Sequence, residues 1–266
     1  AKLLVWSVIN GQMPNSRRVG VSPLTSLSGQ KALVTGAAGG IGIAIIQALK
    51  NAGAVVAGAD KQPSHTSDFS IIGDLTDPTF SDHLPETAAQ ALSGLDIVIN
   101  NAGIIRRGPI TEASDEDFID SFAVNVEAPF RVCRASIPLL ASGGGGAIVN
   151  VASCWGVHPG PNHPIYCMSK AGIASMARCF GHDRAHRGIR VNAVCPDEVD
   201  TPMLRSGFEA RGMDPQTAIQ DLNGSVPIGH IAQPEEIADV VLFLASDQSR
   251  YMCGALVEVN GGKPVF

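Results

Sequence analysis

Long apolar runs, basic runs and clustered cysteines are all missing from this 266-residue chain. No stretch reaches the roughly 18 consecutive apolar residues that span a bilayer, so no membrane helix is expected. Lys and Arg total 19 against 25 Asp and Glu, giving a net charge of −6. The basic pairs Arg17-Arg18 and Arg106-Arg107 are too short to follow a phosphate backbone, and nucleic acid is not an expected partner. Six cysteines stand at 133, 154, 167, 179, 195 and 253, with no Cys-x-x-Cys pair and no zinc-like Cys/His spacing. No metal site is therefore expected, and the thiols read as reduced, mostly buried apolar groups of a reducing, cytoplasmic compartment. Charged residues make up 17% against 45% hydrophobic, which excludes a disordered chain and suits a compact enzyme-like fold. Internal repeats and a second domain are also lacking. Residues 1–26 read as an N-terminal arm or an appended leader, because the apolar run after Lys2 is short for a signal peptide and no Ala-x-Ala cleavage site follows it. Residues 27–266 are expected to form one domain.

What the chain does contain is alternation. An apolar run at residues 31–34 ends in Thr35-Gly36-Ala37-Ala38-Gly39-Gly40-Ile41-Gly42, and residues 43–50 continue with helical spacing. Glycines between a strand and a helix let backbone approach a pyrophosphate, which then sits where helix amides are unpaired. A second strand, residues 54–59, ends in Asp60, whose carboxylate can take both ribose hydroxyls and repel a 2′-phosphate, favouring NAD over NADP. Lys61 beside it could soften that discrimination. A third strand, residues 71–75, carries Asp74 and Leu75 toward an adenine, and a fourth, residues 95–99, ends in Asn100-Asn101-Ala102-Gly103. One long helix is predicted from Ser114 to about Leu140, with Asn125 as a poor helix former inside it. Strands follow at 147–152, 190–194 and 255–259, and helices at about 166–186 and 234–245. Residues 201–233 read as an irregular lid over an apolar pocket, holding Met203, Leu204 and Phe208. Strands alternating with helices give an α/β fold, a Rossmann-like doubly wound parallel sheet with helices on both faces.

Tyr166 and Lys170, four apart on one helix, leave the same face one turn apart, which would let an ammonium favour a phenolate for acid/base work. Ser153 closes the strand before them.

Thr35-Gly36, Gly40-Ile41-Gly42, Asp74, Asn100-Asn101-Ala102-Gly103, Asn125, Ser153, Tyr166 and Lys170, in that order, resemble the short-chain dehydrogenase/reductase family of the classical type over residues 27–262. The resemblance implies Tyr166 as the acid/base at the substrate oxygen and Ser153 as a donor to that oxygen. It implies Lys170 as the group that lowers the tyrosine pKa and holds the nicotinamide ribose, and Asn125 as the anchor of a relay water. The cofactor would lie along Gly36, Gly40, Ile41, Gly42, Asp60, Asp74, Leu75, Asn101, Ala102 and Gly103, and against Tyr166, Lys170, Pro196, Val199 and Thr201. A homotetramer or homodimer is implied as well, with Ile173, Met176, Ala177 and Phe180 as either interface or core.

Asp197 stands where the family usually has glycine, with Glu198 next to it. Together with Arg106, Cys154, Trp155, His158 and His163, Glu198 is expected to line a pocket for a small-molecule substrate. The expected activity is NAD-dependent oxidation of a secondary alcohol on a sugar, polyol or deoxy sugar acid. The alternatives are a 3-oxoacyl thioester reductase, which would favour NADPH, and a dinucleotide-binding scaffold without turnover.

Overall fold

The computed structural model describes residues 25–263, so most of the expected arm, and with it the reading of residues 1–26 as a leader, lies outside the described residues. Seven strands, β1 (Lys31–Thr35), β2 (Val55–Asp60), β3 (Phe69–Ile72), β4 (Ile97–Asn100), β5 (Gly146–Val151), β6 (Ile189–Pro196) and β7 (Leu256–Val259), form one sheet in the order β3-β2-β1-β4-β5-β6-β7. Every pairing is parallel. The winding reverses between β1 and β4, and at such a point the loops leaving the strand ends diverge and open a crevice.

Among the described residues there are eight α-helices: α1 (Gly40–Asn51), α2 (Pro78–Leu92), α3 (Asp115–Phe122), α4 (Ala128–Ser142), α5 (Pro164–Arg184), α6 (Pro202–Glu209), α7 (Pro215–Ser225) and α8 (Pro234–Ala245). Side chains alternate along each strand, so Leu33 joins Val98, Ile148 and Val191 under α2, α4 and α5, while Val34 joins Ile97, Ile99 and Val149 under α1 and α8. Both faces are buried over the central strands, while β3 and β7 at the edges are partly exposed, and each fully buried Leu or Ile contributes roughly 1.5–3 kcal/mol. Ile173 and Ala177 are buried in the first of these cores, with Met176 and Phe180 packed on it, so that face of α5 is core. Cys133, Cys154 and Cys195 are buried, Cys167 is half-buried, and Cys179 and Cys253 are exposed, so only half of the thiols fit the expected burial. Among the described residues no helix is long and apolar enough to cross a membrane.

Three local expectations change. The single helix over 114–140 is two, α3 and α4, joined by a π-helical turn at Ala123–Glu127. The wider turn, with the Ala128 amide donating to the Ala123 carbonyl, rotates Asn125 inward. Residues 73–96 hold α2, which starts on an Asp77 cap followed by Pro78. Residues 201–233 are not irregular, because α6 and α7 start on Thr201-Pro202 and Asp214-Pro215, each cap accepting a backbone amide. They enclose a small core of Phe208, Ala218, Ile219, Val226 and Ile231.

Candidate active site

The glycine turn is tight because it is pressed between neighbours. Gly36 has φ +66°, and a Cβ there would lie 2.8 Å from Ala102 Cα, while one on Gly42 would overlap the Gly36 carbonyl oxygen. Asn101 locks the turn to β4: its Nδ2 donates to the Thr35 and Gly36 carbonyls at 3.0 and 3.1 Å. Its amide and that of Ala102 donate to Thr35 Oγ1 at 3.1 and 3.2 Å. Gly39 caps α1 without a side chain, so the first-turn amides of Gly40, Ile41 and Gly42 face the crevice and suit an anion.

That crevice, about 420 Å³, runs from the glycine turn past Asp60, Asp74 and Leu75 to Gly103 and Thr201. Asp60 closes β2, where its carboxylate accepts the Ala38 and Gln62 amides, each at 3.1 Å. Lys61 turns to Asp74 at 2.9 Å. Burial pushes the Asp74 carboxyl up, but hydrogen bonds from the Thr76 amide and Lys61 outweigh it and hold the pKa below its ordinary value. Uncapped amides, two carboxylates placed for hydroxyl or amino donors, and a turn that excludes side chains fit a dinucleotide.

Ser153 follows β5 by two residues. Its hydroxyl donates to the Pro196 carbonyl at 3.4 Å and accepts the Trp155 amide at 3.2 Å. Lys170, 4% exposed, donates to the Val151 carbonyl at 2.8 Å and stands 5.7 Å from the Tyr166 ring centroid. Gly103 leaves room for it, since a Cβ there would lie 3.2 Å from Lys170 Nζ and 3.3 Å from Asn125 Oδ1. Burial dominates both groups, pushing Tyr166 up to about 12 against the Ser153 hydroxyl's downward pull, and Lys170 down to about 8. The Arg107 charge also pulls Tyr166 down, by less than the Ser153 hydroxyl does. Asn125 spends its side chain on protein: Oδ1 accepts the Ile104 amide at 2.8 Å, and Nδ2 donates to the Ile104 carbonyl and to Ser169 Oγ at 2.9 and 3.0 Å.

A second cavity, about 260 Å³, opens from the crevice and shares Ile41, Asn101, Gly103 and Thr201 with it. Ser153, Trp155, His163, Tyr166, Lys170, Pro196, Glu198 and Val199 line it, with Trp155 tilted on His163 at 4.6 Å and edge-on to Tyr166 at 6.3 Å. Three expected pocket residues lie elsewhere. Arg106 is drawn to the surface by Asp117 and Asp120, at 3.0 and 2.9 Å, and its neighbour Arg107 lines the cavity instead. Cys154 points into the core and donates to the Cys195 carbonyl at 3.0 Å. His158 turns to Glu258 at 3.1 Å.

The acidic pair after β6 brings in a residue that sequence patterning does not flag. Lys263 approaches Glu198 at 2.7 Å and Asp197 at 3.6 Å. Burial, then the adjoining Glu198, raises Asp197 to about 7. Burial also works against Glu198, but hydrogen bonds from Asp197 and Lys263 hold it below the usual range. Asp197 thus carries the proton of the pair, offering a donor and acceptors side by side on the cavity wall. Met203, Leu204, Phe208, Arg211 and Leu222 line the cavity from the helical segment.

Comparisons with known proteins identify the family. A family model described as enoyl-(acyl carrier protein) reductase matches residues 36–263. The 3-oxoacyl-[acyl-carrier-protein] reductase of Thermotoga maritima is 32% identical over 248 residues, covering 89% of this chain and 98% of the relative. The 2-keto-3-deoxy-L-fuconate dehydrogenase of Xanthomonas campestris is also 32% identical over 248 residues, covering 91% of this chain and 82% of its own length. Among solved structures, the aldohexose dehydrogenase of Thermoplasma acidophilum superposes with a TM-score of 0.83 at 27% identity, over 88% of this chain and 93% of that one. Parallel sheet, glycine crevice and family match together make the chain an oxidoreductase belonging to the short-chain dehydrogenase/reductase family.

Proposed function

We propose that this protein is an NAD-dependent dehydrogenase that interconverts a secondary alcohol and ketone on a sugar, polyol or deoxy sugar acid. The observation that carries the reading is the cavity joined to the crevice, lined by Ser153, Tyr166, Asp197 and Glu198, with Lys263 paired to Glu198 at 2.7 Å. Those polar groups suit a substrate dense in hydroxyls better than an acyl chain. When bound, the nicotinamide supplies the hydride acceptor or donor. Tyr166 Oη then exchanges the proton of the substrate hydroxyl, and Ser153 Oγ hydrogen-bonds the same oxygen as its charge develops. Lys170, with one protein acceptor for its three N–H groups, has donors left for ribose hydroxyls and supplies positive charge beside the phenol. Asn125 pins the Ile104 loop to Ser169 on α5 and so fixes the floor beneath Gly103. Residues 201–233 would serve as the lid, and a cytoplasmic homotetramer or homodimer is the proposed form, supported by exposed Phe118, Ile119 and Phe130 on α3 and α4.

The competing reading, reduction of 3-oxoacyl thioesters, draws on the Thermotoga relative's activity. Asp60 separates the two, since its carboxylate disfavours a 2′-phosphate. NAD should bind at least tenfold tighter than NADP, and Asp60→Ala should close most of that gap; equal affinities in the parent protein overturn the assignment. Tyr166→Phe should retain NAD binding and lose at least a hundredfold in kcat, and retained turnover would remove the proposed proton carrier.

A further inference from the structure

Two arginines at the mouth of the substrate cavity are placed unlike the others around it. Arg106 pairs with Asp117 and Asp120, and Arg205 pairs with Asp200. Arg107 and Arg211 both line the cavity, yet among the described residues neither has a carboxylate within ion-pair distance. They are held together by one small residue of α6. A Cβ on Gly207 would lie 2.6 Å from the Arg107 Cζ, so this guanidinium rests on the bare helix backbone. Arg211 Nε donates to the carbonyl of the same Gly207 at 2.9 Å, and its guanidinium stacks 4.9 Å over Phe208. Like charges so placed oppose each other: burial and then the Arg211 charge lower Arg107. His163, across the cavity mouth, is lowered first by burial and also by both arginines.

We infer that Arg107 and Arg211 form an anion subsite for a carboxylate carried by the substrate, so that the alcohol oxidised at Tyr166 belongs to a sugar acid. The inference rests on the proposed dehydrogenase function and narrows its substrate class. Two guanidinium forks side by side match the planar oxygens of a carboxylate. The cavity, at about 260 Å³, admits a compact molecule. Because Gly207 seats both arginines and belongs to α6, the anion would tie the 201–233 segment to the loop after β4.

Initial rates with NAD on C4–C7 aldonates, their uncharged alditols and aldoses, and the matching sugar phosphates test this. Wild type should prefer a carboxylate over its uncharged counterpart by about a hundredfold in kcat/KM. Arg107→Met and Arg211→Met should each shrink that preference below about tenfold, mainly through KM and with a weaker salt dependence. If either variant fails to fold, the Lys substitution at that position replaces it, and a loss of about tenfold is expected because the fork is gone while the charge stays. Equal use of charged and uncharged substrates, or a preference that survives all substitutions, overturns the subsite and leaves the sugar-dehydrogenase reading intact. Preference for phosphates overturns the carboxylate assignment. No turnover of any sugar, beside reduction of a 3-oxoacyl thioester, overturns both.

Discussion

Two clusters of the same composition stand at opposite ends of the ligand crevice, each with two carboxylates and one lysine. Asp60, Lys61 and Asp74 sit beside the glycine turn, where the Lys61 and Asp74 side chains are 63% and 44% exposed. Asp197, Glu198 and Lys263 sit past β6, at 8%, 15% and 23%. Water decides what each can do. In the open cluster the charges are screened, Asp60 points to backbone amides, and all three groups are free to trade partners with a ligand. In the closed cluster two carboxylates cannot both stay charged beside a single ammonium, so Asp197 holds a proton near neutrality. The first is a docking point and the second a fixed donor-acceptor wall.

Removing the cation from each cluster should expose the difference most sharply. Lys263→Met leaves buried carboxylates uncompensated and should cost about 2–3 kcal/mol in urea unfolding at pH 7. Next in size is Asp197→Asn. An acid whose folded pKa is raised keeps its proton in the folded state after the unfolded chain has lost it, so wild type loses stability as pH rises from about 4 to 7. The variant should therefore gain up to about 2 kcal/mol over wild type across that window and hold the gain above it. Asp74→Asn should go the other way. Its folded pKa is lowered, so its contribution is present above the ordinary carboxylate value and disappears as pH falls through the folded pKa. At pH 7 the variant should be less stable by under ~1 kcal/mol, after discounting for exposure, and should converge on wild type once the pH falls below the folded pKa. Smallest of all, Lys61→Met should stay within ~0.5 kcal/mol of wild type at 0.15 M salt. If Lys61→Met and Lys263→Met cost the same, the contrast between the clusters is gone.

The cofactor end was legible in the sequence, and the substrate end much less so, for a physical reason. The glycine turn works through backbone, and backbone geometry leaves a mark in consecutive residues: Gly36 and Gly42 cannot carry side chains where they stand. The substrate cavity is built from side chains brought together across the fold. Arg107 and Arg211 meet over Gly207, and Lys263 meets Glu198 across 65 positions, without any local pattern. Charged neighbours also mislead, since Arg106 and Arg107 are alike in sequence and only the acids of α3 decide which one faces out. Missed helices were a different matter. Asp77-Pro78, Thr201-Pro202 and Asp214-Pro215 are each a capping side chain followed by proline in the first turn, the same start signal that Pro234 displays for α8. The π-helical turn around Asn125 had no such signal, because the partners that hold Asn125 inward, Ile104 and Ser169, are 21 and 44 positions away.

The reversal of winding between β1 and β4 also governs how the chain reaches this state. Thr35 and the Ile99 carbonyl, 64 positions apart, must meet before Asn101 can clamp the glycine turn. Loop-closure entropy is spent on that encounter before any reward from β1–β4 pairing arrives, which places the crevice among the late and slow events of folding. Until then the two halves of the sheet have bare edges facing each other, and it is there that a partly folded chain is most open to pairing with another.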